Sequence, residues 1–160
     1  MDWTFQTEEG RFNYRVGVII TNGDRMLMAR NPLDRREYYY SVGGRVNFGE
    51  ELTAAVIREL KEETGVDCEI GRLACIHENF FTDSDGVPYH EVSVFFTVKE
   101  NEQLLRIPNG HLTDHGPKGE YLEWIDMKHS DGITVYPEFF KTADFSRETG
   151  VMHFISREGA

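Results

Sequence analysis

Apolar and polar residues alternate along much of this chain with a period of two, the spacing of a half-buried strand. Over residues 11–20, Phe12, Tyr14, Val16, Val18 and Ile20 fall on one side before the run Val18-Ile19-Ile20 closes the segment. That pattern predicts a buried strand. Thr21-Asn22-Gly23-Asp24 reads as a turn, because Asn-Gly accepts positive φ, and residues 25–30 return as the second strand of a hairpin. Residues 31–37 are polar and contain Pro32, which suits an exposed loop. Tyr38-Tyr39-Tyr40 then leads to Gly43-Gly44, where a short strand is expected to give way to a tight turn. Residues 68–81 and 89–99 are apolar enough for strands, with Asp83-Ser84-Asp85-Gly86 as the turn between them. Residues 100–119 are loop-rich. Further strands are expected over 121–126 and 151–156, and Pro137 can open a short helix over 138–141.

One segment changes period. Residues 51–64 carry helical spacing, and Gly65 stands just past the end as a left-handed cap. At about 100° per residue, Leu52, Val56, Ile57 and Leu60 fall within a sector of about 140°, the face a helix would bury. Glu59, Glu62 and Glu63 occupy a sector of about 100° that meets one edge of it. Glu51, Arg58 and Lys61 lie on the remaining side, free to face water. The carboxylates therefore border the buried stripe. On an open helix face such like-charge pairs cost only a few tenths of a kcal/mol. In a partly enclosed cleft, at ~5–6 Å, they would repel by about 3 kcal/mol each. Spacing alone leaves both readings open, a solvated acidic face or a site for a hard cation. The order of elements, many strands with one long helix mid-chain and a shorter one late, gives an α/β class with helices packed on a mixed sheet.

A length of 160 residues suits one ordinary domain covering 1–160. The chain is 39% hydrophobic and 28% charged, as globular proteins are. No apolar run approaches the roughly 20 residues that span a bilayer. The opening MDWTFQTEEG lacks the basic-then-apolar pattern of a signal peptide, so a cytoplasmic protein with no membrane association is expected. The net charge of −11 argues against a stable nucleic-acid partner. It leaves room for a small phosphorylated substrate, which divalent cations can bridge to acidic side chains. Cys68 and Cys75 cannot make a disulfide framework and point to opposite faces of one expected strand, so both are read as reduced thiols.

Gly44 is followed at fixed intervals by Glu50, Arg58, Glu59, Leu60, Glu62, Glu63, Gly65 and Val66. This resembles, position for position, the signature box of the Nudix hydrolases, G-x5-E-x7-R-E-U-x-E-E-x-G-U with U an aliphatic residue. The resemblance implies an α/β/α sandwich with a mixed β-sheet and a loop-helix-loop catalytic motif, as in MutT-like proteins. It also implies a metal-dependent pyrophosphohydrolase, cleaving a diphosphate linkage in a nucleoside diphosphate derivative or nucleoside triphosphate by water attack on phosphorus. Oxygen donors converging from one helix suit Mg²⁺ or Mn²⁺. By the resemblance, Glu62, Glu63 and the Gly44 carbonyl are metal ligands, and Glu59 is either a ligand or the base. Arg58 is expected to hold Glu50 bidentately as structural support. Family members often recruit one more carboxylate from a later strand or loop; here Glu120 is the first candidate and Glu91 the second. Dimers are frequent among such enzymes, which admits a homodimer, although the residues carry no independent sign of one.

Arg45, inside the box, leads Arg30, Arg35 and Arg36 as a cation for phosphate oxygens. Tyr39 is the candidate for stacking a base, among Tyr38, Tyr40, Phe80 and Phe81, all of which suit a core equally well. His77 and His90 lie on adjacent expected strands. His111 and His115 have metal-type spacing, but the glycine and proline around them favour a loop over a zinc site. No proline precedes Gly43-Gly44, and Asn47 stands where the family often has glutamate, so loop geometry and substrate fit are expected to differ. Residues 81–84 carry neither the proline nor the tyrosine that mark ADP-ribose or dinucleoside polyphosphate specificity. The substrate stays unassigned.

Overall fold

In the computed structural model, which describes residues 1–114 and 119–158, the alternating segments form a mixed sheet. Ahead of the helix come β1 (Thr4–Gln6), β2 (Arg11–Ile19), β3 (Thr21–Asn22), β4 (Arg25–Arg30) and β5 (Tyr39–Arg45). Helix α1 (Leu52–Thr64) is followed by β6 (Ile70–Thr82), β7 (Pro88–Val98), the short α2 (Glu102–Leu105) and β8 (His111–Leu112). The chain then makes β9 (Tyr121–Asp126), β10 (Val135–Tyr136), a 3₁₀ turn at Glu138–Lys141, and β11 (Met152–Arg157).

The strand order is β11-β6-β7-β2-β5-β4-β9-β8, with β1 added to β2, β3 to β4 and β10 to β5. The β2–β7 and β6–β11 pairs are parallel, and β6–β7 is an antiparallel hairpin. Strand β5 joins the two halves: Val42 to Arg45 pair with β2, while Tyr40 and Ser41 pair with β4. Apolar residues leave both sheet faces. Val16, Val18, Val42, Val94 and Phe96 pack under Ala55, Val56 and Leu60 of α1. On the other face Ile19, Met28, Cys75 and Phe95 pack with Val135 of β10 and Phe140 of the 3₁₀ turn. The fold is thus the expected α/β arrangement with a large mixed sheet, and its second outer layer is thin.

Several expectations need correction. Gly43 and Gly44 lie inside β5, paired with Gly17 and Val16, rather than in a turn. The turn comes later, where Glu50 N donates to Asn47 O at 3.0 Å and Gly49 takes φ of 81°. Ile57 is 46% exposed, while Ala55, Glu59 and Glu63 are buried. Helix α1 is rolled so that two carboxylates lie within the buried face, not along its border. Thr21 and Asn22 belong to the hairpin strands themselves. Helix α2 interrupts the stretch read as loop, because Asn101 Oδ1 caps the amides of Gln103 and Leu104 and Leu104 is buried. Cys68 precedes β6 instead of lying on it; both cysteines are free, and burial pushes the Cys75 thiol up to about 12. No helix among the described residues is long and apolar enough to cross a membrane.

Candidate active site

The loop before α1 is fastened to the helix by one arginine. Arg58 Nε and Nη2 donate to Glu50 Oε1 and Oε2 at 2.8 and 2.9 Å, and Glu50 Oε2 also accepts from Asn47 N at 2.9 Å. The same guanidinium donates to Glu59 Oε1 at 2.6 Å and to Arg45 O at 3.1 Å, and it approaches Glu62 Oε2 at 3.5 Å. Arg58 therefore turns inward, not toward water as the helical projection had it. Its hydrogen bonds are the main reason that the Glu50 carboxyl is lowered to about 2, with the Asn47 amide and the guanidinium charge adding to them.

Behind this clamp the helix presses two carboxylates onto β5. Glu59 is 4% exposed and Glu63 3%. Glu63 Oε1 accepts from Gly43 N at 3.3 Å. Glu63 Oε2 is buried and has no hydrogen-bond partner among the described residues. A Cβ on Gly44 would collide with the Glu59 carboxylate, and one on Gly43, whose φ is 147°, would strike Val16 O. The two glycines let helix and strand close on each other. Burial, then the charges of Glu120 and Glu59, push the Glu63 carboxyl well above the usual carboxylate range, against the Gly43 amide and Arg15.

Glu120, just ahead of β9, takes part in this cluster. Tyr40 donates its hydroxyl to Glu120 Oε2, and Thr113 Oγ1 donates to Oε1 at 3.1 Å. Glu62 is more open, with its side chain 34% exposed, and its carbonyl accepts from Asp114 N at 3.0 Å. Glu91 stands apart on β7, accepting from Asn13 Nδ2 at 3.2 Å with Arg15 Nη1 at 3.9 Å.

No three His, Cys, Asp or Glu side chains among the described residues already form a metal cage. The donor chemistry still fits a hard cation. Every donor at the cluster is oxygen, Glu63 offers a buried oxygen without a donor, and a divalent charge there would offset the repulsion that raises its pKa.

Beside the cluster opens a cleft of about 770 Å³ whose floor carries Arg15, His77, Asn79 and Ser93 and whose rim carries Tyr38, Tyr40 and Tyr136. His77 Nε2 lies 2.9 Å from Ser156 Oγ, and burial lowers its pKa to about 4, so the ring is neutral near pH 7. The Tyr38 and Tyr136 rings meet edge to face at 5.5 Å. Phe80 and Phe81 also line the cleft.

Two candidates from the sequence lie elsewhere. Tyr39 donates to Glu123 with Arg30 over its ring and does not line the cleft. Arg45 turns outward to Asp2 at 3.3 Å. His90 stacks on Phe80 at 4.4 Å and is largely exposed. His115 lies outside the described residues. Arg15, Asn79 and Ser156 also line the cleft, and the local pattern of β6 and β11 does not mark Asn79 or Ser156 as site residues. A signal for Arg15 existed: Asn13 and Arg15 place polar groups on one side of β2, opposite its apolar row.

A model of the NUDIX domain matches residues 11–137. The NAD-capped RNA hydrolase NudC of Stutzerimonas stutzeri is 36% identical over 121 residues, covering 75% of this chain and 37% of that protein. The chain thus spans little more than a third of the length of that relative. The Nudix hydrolase YvcI of Bacillus subtilis is 24% identical over 84% of this chain and 80% of its own length. Among solved structures, the mutator MutT protein of Bacillus halodurans aligns with a TM-score of 0.64 at 19% identity, over 91% of each chain.

Proposed function

The chain belongs to the Nudix family, and on that premise we propose that it is a pyrophosphohydrolase dependent on Mg²⁺ or Mn²⁺. Its substrate on this reading is a small nucleoside diphosphate derivative or nucleoside triphosphate. The observation that carries the reading is the pair of buried carboxylates, Glu59 and Glu63, packed on Gly43-Gly44 with Glu63 Oε2 lacking a donor. A helix does not bury two acids side by side without something to offset them.

Glu59, Glu62 and Glu63, with the Gly44 carbonyl and Glu120, are the groups that would hold the cation. When bound, the cation neutralises diphosphate oxygens, polarises phosphorus and lowers the pKa of a water. The protein's own part is positional. Arg58 fixes Glu59 at Oε1 and clamps the loop through Glu50. Tyr40 and Thr113 hold Glu120 facing the helix. The attacking water forms a new O–P bond, the bridging P–O bond breaks, and a box glutamate accepts the proton. A cleft of about 770 Å³ is of the size that takes a nucleotide-sized ligand.

The test is a substrate panel with Mg²⁺ or Mn²⁺, read by chromatography, with Glu63→Gln and a chelator as controls. The panel includes nucleoside triphosphates, sugar nucleotides, NAD and, because of the name its relative carries, an NAD-capped oligonucleotide. Cation-dependent release of phosphate-ended products, lost in Glu63→Gln, is expected. Tight binding of one compound without cleavage would point instead to a ligand sensor on the same fold.

A further inference from the structure

Arg15 occupies the cleft floor and belongs to no position of the box. It stands on β2, between Arg45 of β5 and Ser93 of β7 in the ladder. Its side chain is about one-third exposed, and Nη1 is 3.9 Å from Glu91 Oε2. That is an ion pair too long for a hydrogen bond. The guanidinium donors therefore have no hydrogen-bond acceptor among the described residues. A planar fork with its donors unused, inside a concave site, suits an oxyanion.

What faces Arg15 is built with care. Glu91 Oε2 accepts from Asn13 Nδ2 at 3.2 Å, and Asn13 Oδ1 accepts from Thr4 Oγ1 at 2.7 Å. Asn13 is buried and the Glu91 side chain is only 14% exposed. Strands β1, β2 and β7 thus each supply one member of a polar relay ending at the guanidinium. Such groups are costly to bury unless each finds a partner. Of the other cations, Arg45 is engaged with Asp2 and Arg157 lies over the Phe80 ring at 4.1 Å, while Arg36, which also lines the cleft, is exposed on the loop before β5.

We propose that Arg15 holds phosphate oxygens of the diphosphate substrate, and that Glu91 is the positioning residue that orients Arg15, not a metal ligand. This rests on the hydrolase reading and extends it by placing the anion anchor outside the box. Substrate arrives with its diphosphate between Arg15 and the carboxylate cluster, while the rest of the molecule extends along the cleft.

The experiment pairs calorimetric binding of inorganic pyrophosphate, with Mg²⁺ present, with kcat and KM for the best substrate of the panel. Arg15→Gln should weaken pyrophosphate binding and raise KM by at least about tenfold, as for loss of a charge-assisted hydrogen bond. Arg15→Lys should recover part of both. Glu91→Gln should move KM in the same direction while leaving the Mg²⁺ concentration for half-maximal activity unchanged; a rise in that concentration would overturn the positioning role. Arg15-dependent pyrophosphate binding without hydrolysis of any panel member keeps the anchor and removes the hydrolase reading. Hydrolysis with wild-type KM and pyrophosphate affinity in folded Arg15→Gln does the reverse. Failure of the wild-type protein to bind pyrophosphate also overturns the anchor.

Discussion

Helix α1 and the cleft floor bury polar groups against the same sheet, yet they hold different kinds. The helix side is ionic: Glu59 and Glu63 lie buried, the charge of Glu120 bears on Glu63, and Arg58 offsets part of that charge through Glu59. The floor is mixed: one loose ion pair, Arg15 with Glu91, stands among neutral groups, where His77 pairs with Ser156 and Asn79 and Ser93 line the same cleft. Concentrated negative charge is what a divalent cation requires, and a cation held there would in turn stabilise charge at a phosphorus centre. Neutral hydrogen-bonding groups with aromatic neighbours are what distinguish one substrate moiety from another. On the proposed function, the two regions would divide the work, reaction on one side and recognition on the other.

The largest effect should come from removing one member of the ionic side. Glu63→Gln is expected to lower kcat by at least about 100-fold. It should at the same time stabilise the metal-free protein, since an amide in that place replaces a carboxyl whose ionised form is disfavoured by burial and by the neighbouring Glu120. Wild-type protein should gain thermal stability with added Mg²⁺ and the variant much less. Scanning calorimetry with and without Mg²⁺ checks both. A metal-free variant less stable than wild type would mean that the Glu63 charge is already compensated, and would dissolve the contrast between the regions.

Next in size is the clamp. Arg58→Ala leaves Glu50 and Glu59 without their principal cation, at a cost of about 2–4 kcal/mol, reduced because Arg58 is 29% exposed. Arg58→Lys should recover little, as an ammonium cannot bond both Glu50 oxygens and Glu59 together. Urea denaturation of the three proteins measures this.

How much of each region could be read in advance follows from how it is assembled. The box glutamates, Arg58 and Gly44 come from one contiguous stretch, where helical spacing and a fixed pattern place them within a few residues of one another. Even there the projection erred in rotation. It counted Ile57 as buried and Arg58 as solvent-facing, because apolar residues extend to one edge of the arc and spacing does not say which edge meets the sheet. The floor is different. Arg15, His77, Asn79, Glu91 and Ser156 sit on β2, β6, β7 and β11, joined through two parallel pairings whose register nothing local announces. Gly43-Gly44 was legible as necessary glycine but misplaced, since close approach within a strand and a turn call for the same residue. Strand β1, three residues long, is too short to show alternation.

The regions should also answer acid in opposite senses. His77 has its folded pKa depressed to about 4 from 6.5 by burial. It contributes stability that is present above 6.5 and lost as pH falls toward 4. Glu63 has its folded pKa raised above 4.5, so its ionised form destabilises the fold, and acidification through that range restores stability. In wild type the two oppose each other above pH 4.5, wherever the Glu63 range overlaps that of His77. Glu63→Gln should expose a steeper fall in stability over that window, and His77→Asn a shallower one or a rise. Parallel slopes in all three proteins would show that neither group carries the shift assigned to it.

The smallest expected effect separates position in the sequence from position in the site. Arg45 belongs to the box, but its side chain reaches Asp2 at the surface, where an exposed pair contributes about 0–1 kcal/mol. Only its carbonyl serves the site, by accepting from Arg58, and a substitution keeps that carbonyl. Arg45→Ala should therefore leave KM within about twofold of wild type and stability within about 1 kcal/mol. Arg15, directly across the ladder and outside the box, should behave otherwise. A tenfold rise in KM for Arg45→Ala would mean that its side chain leaves Asp2 to meet substrate, so that recognition begins inside the box and the boundary between the two regions lies on β5 instead of β2.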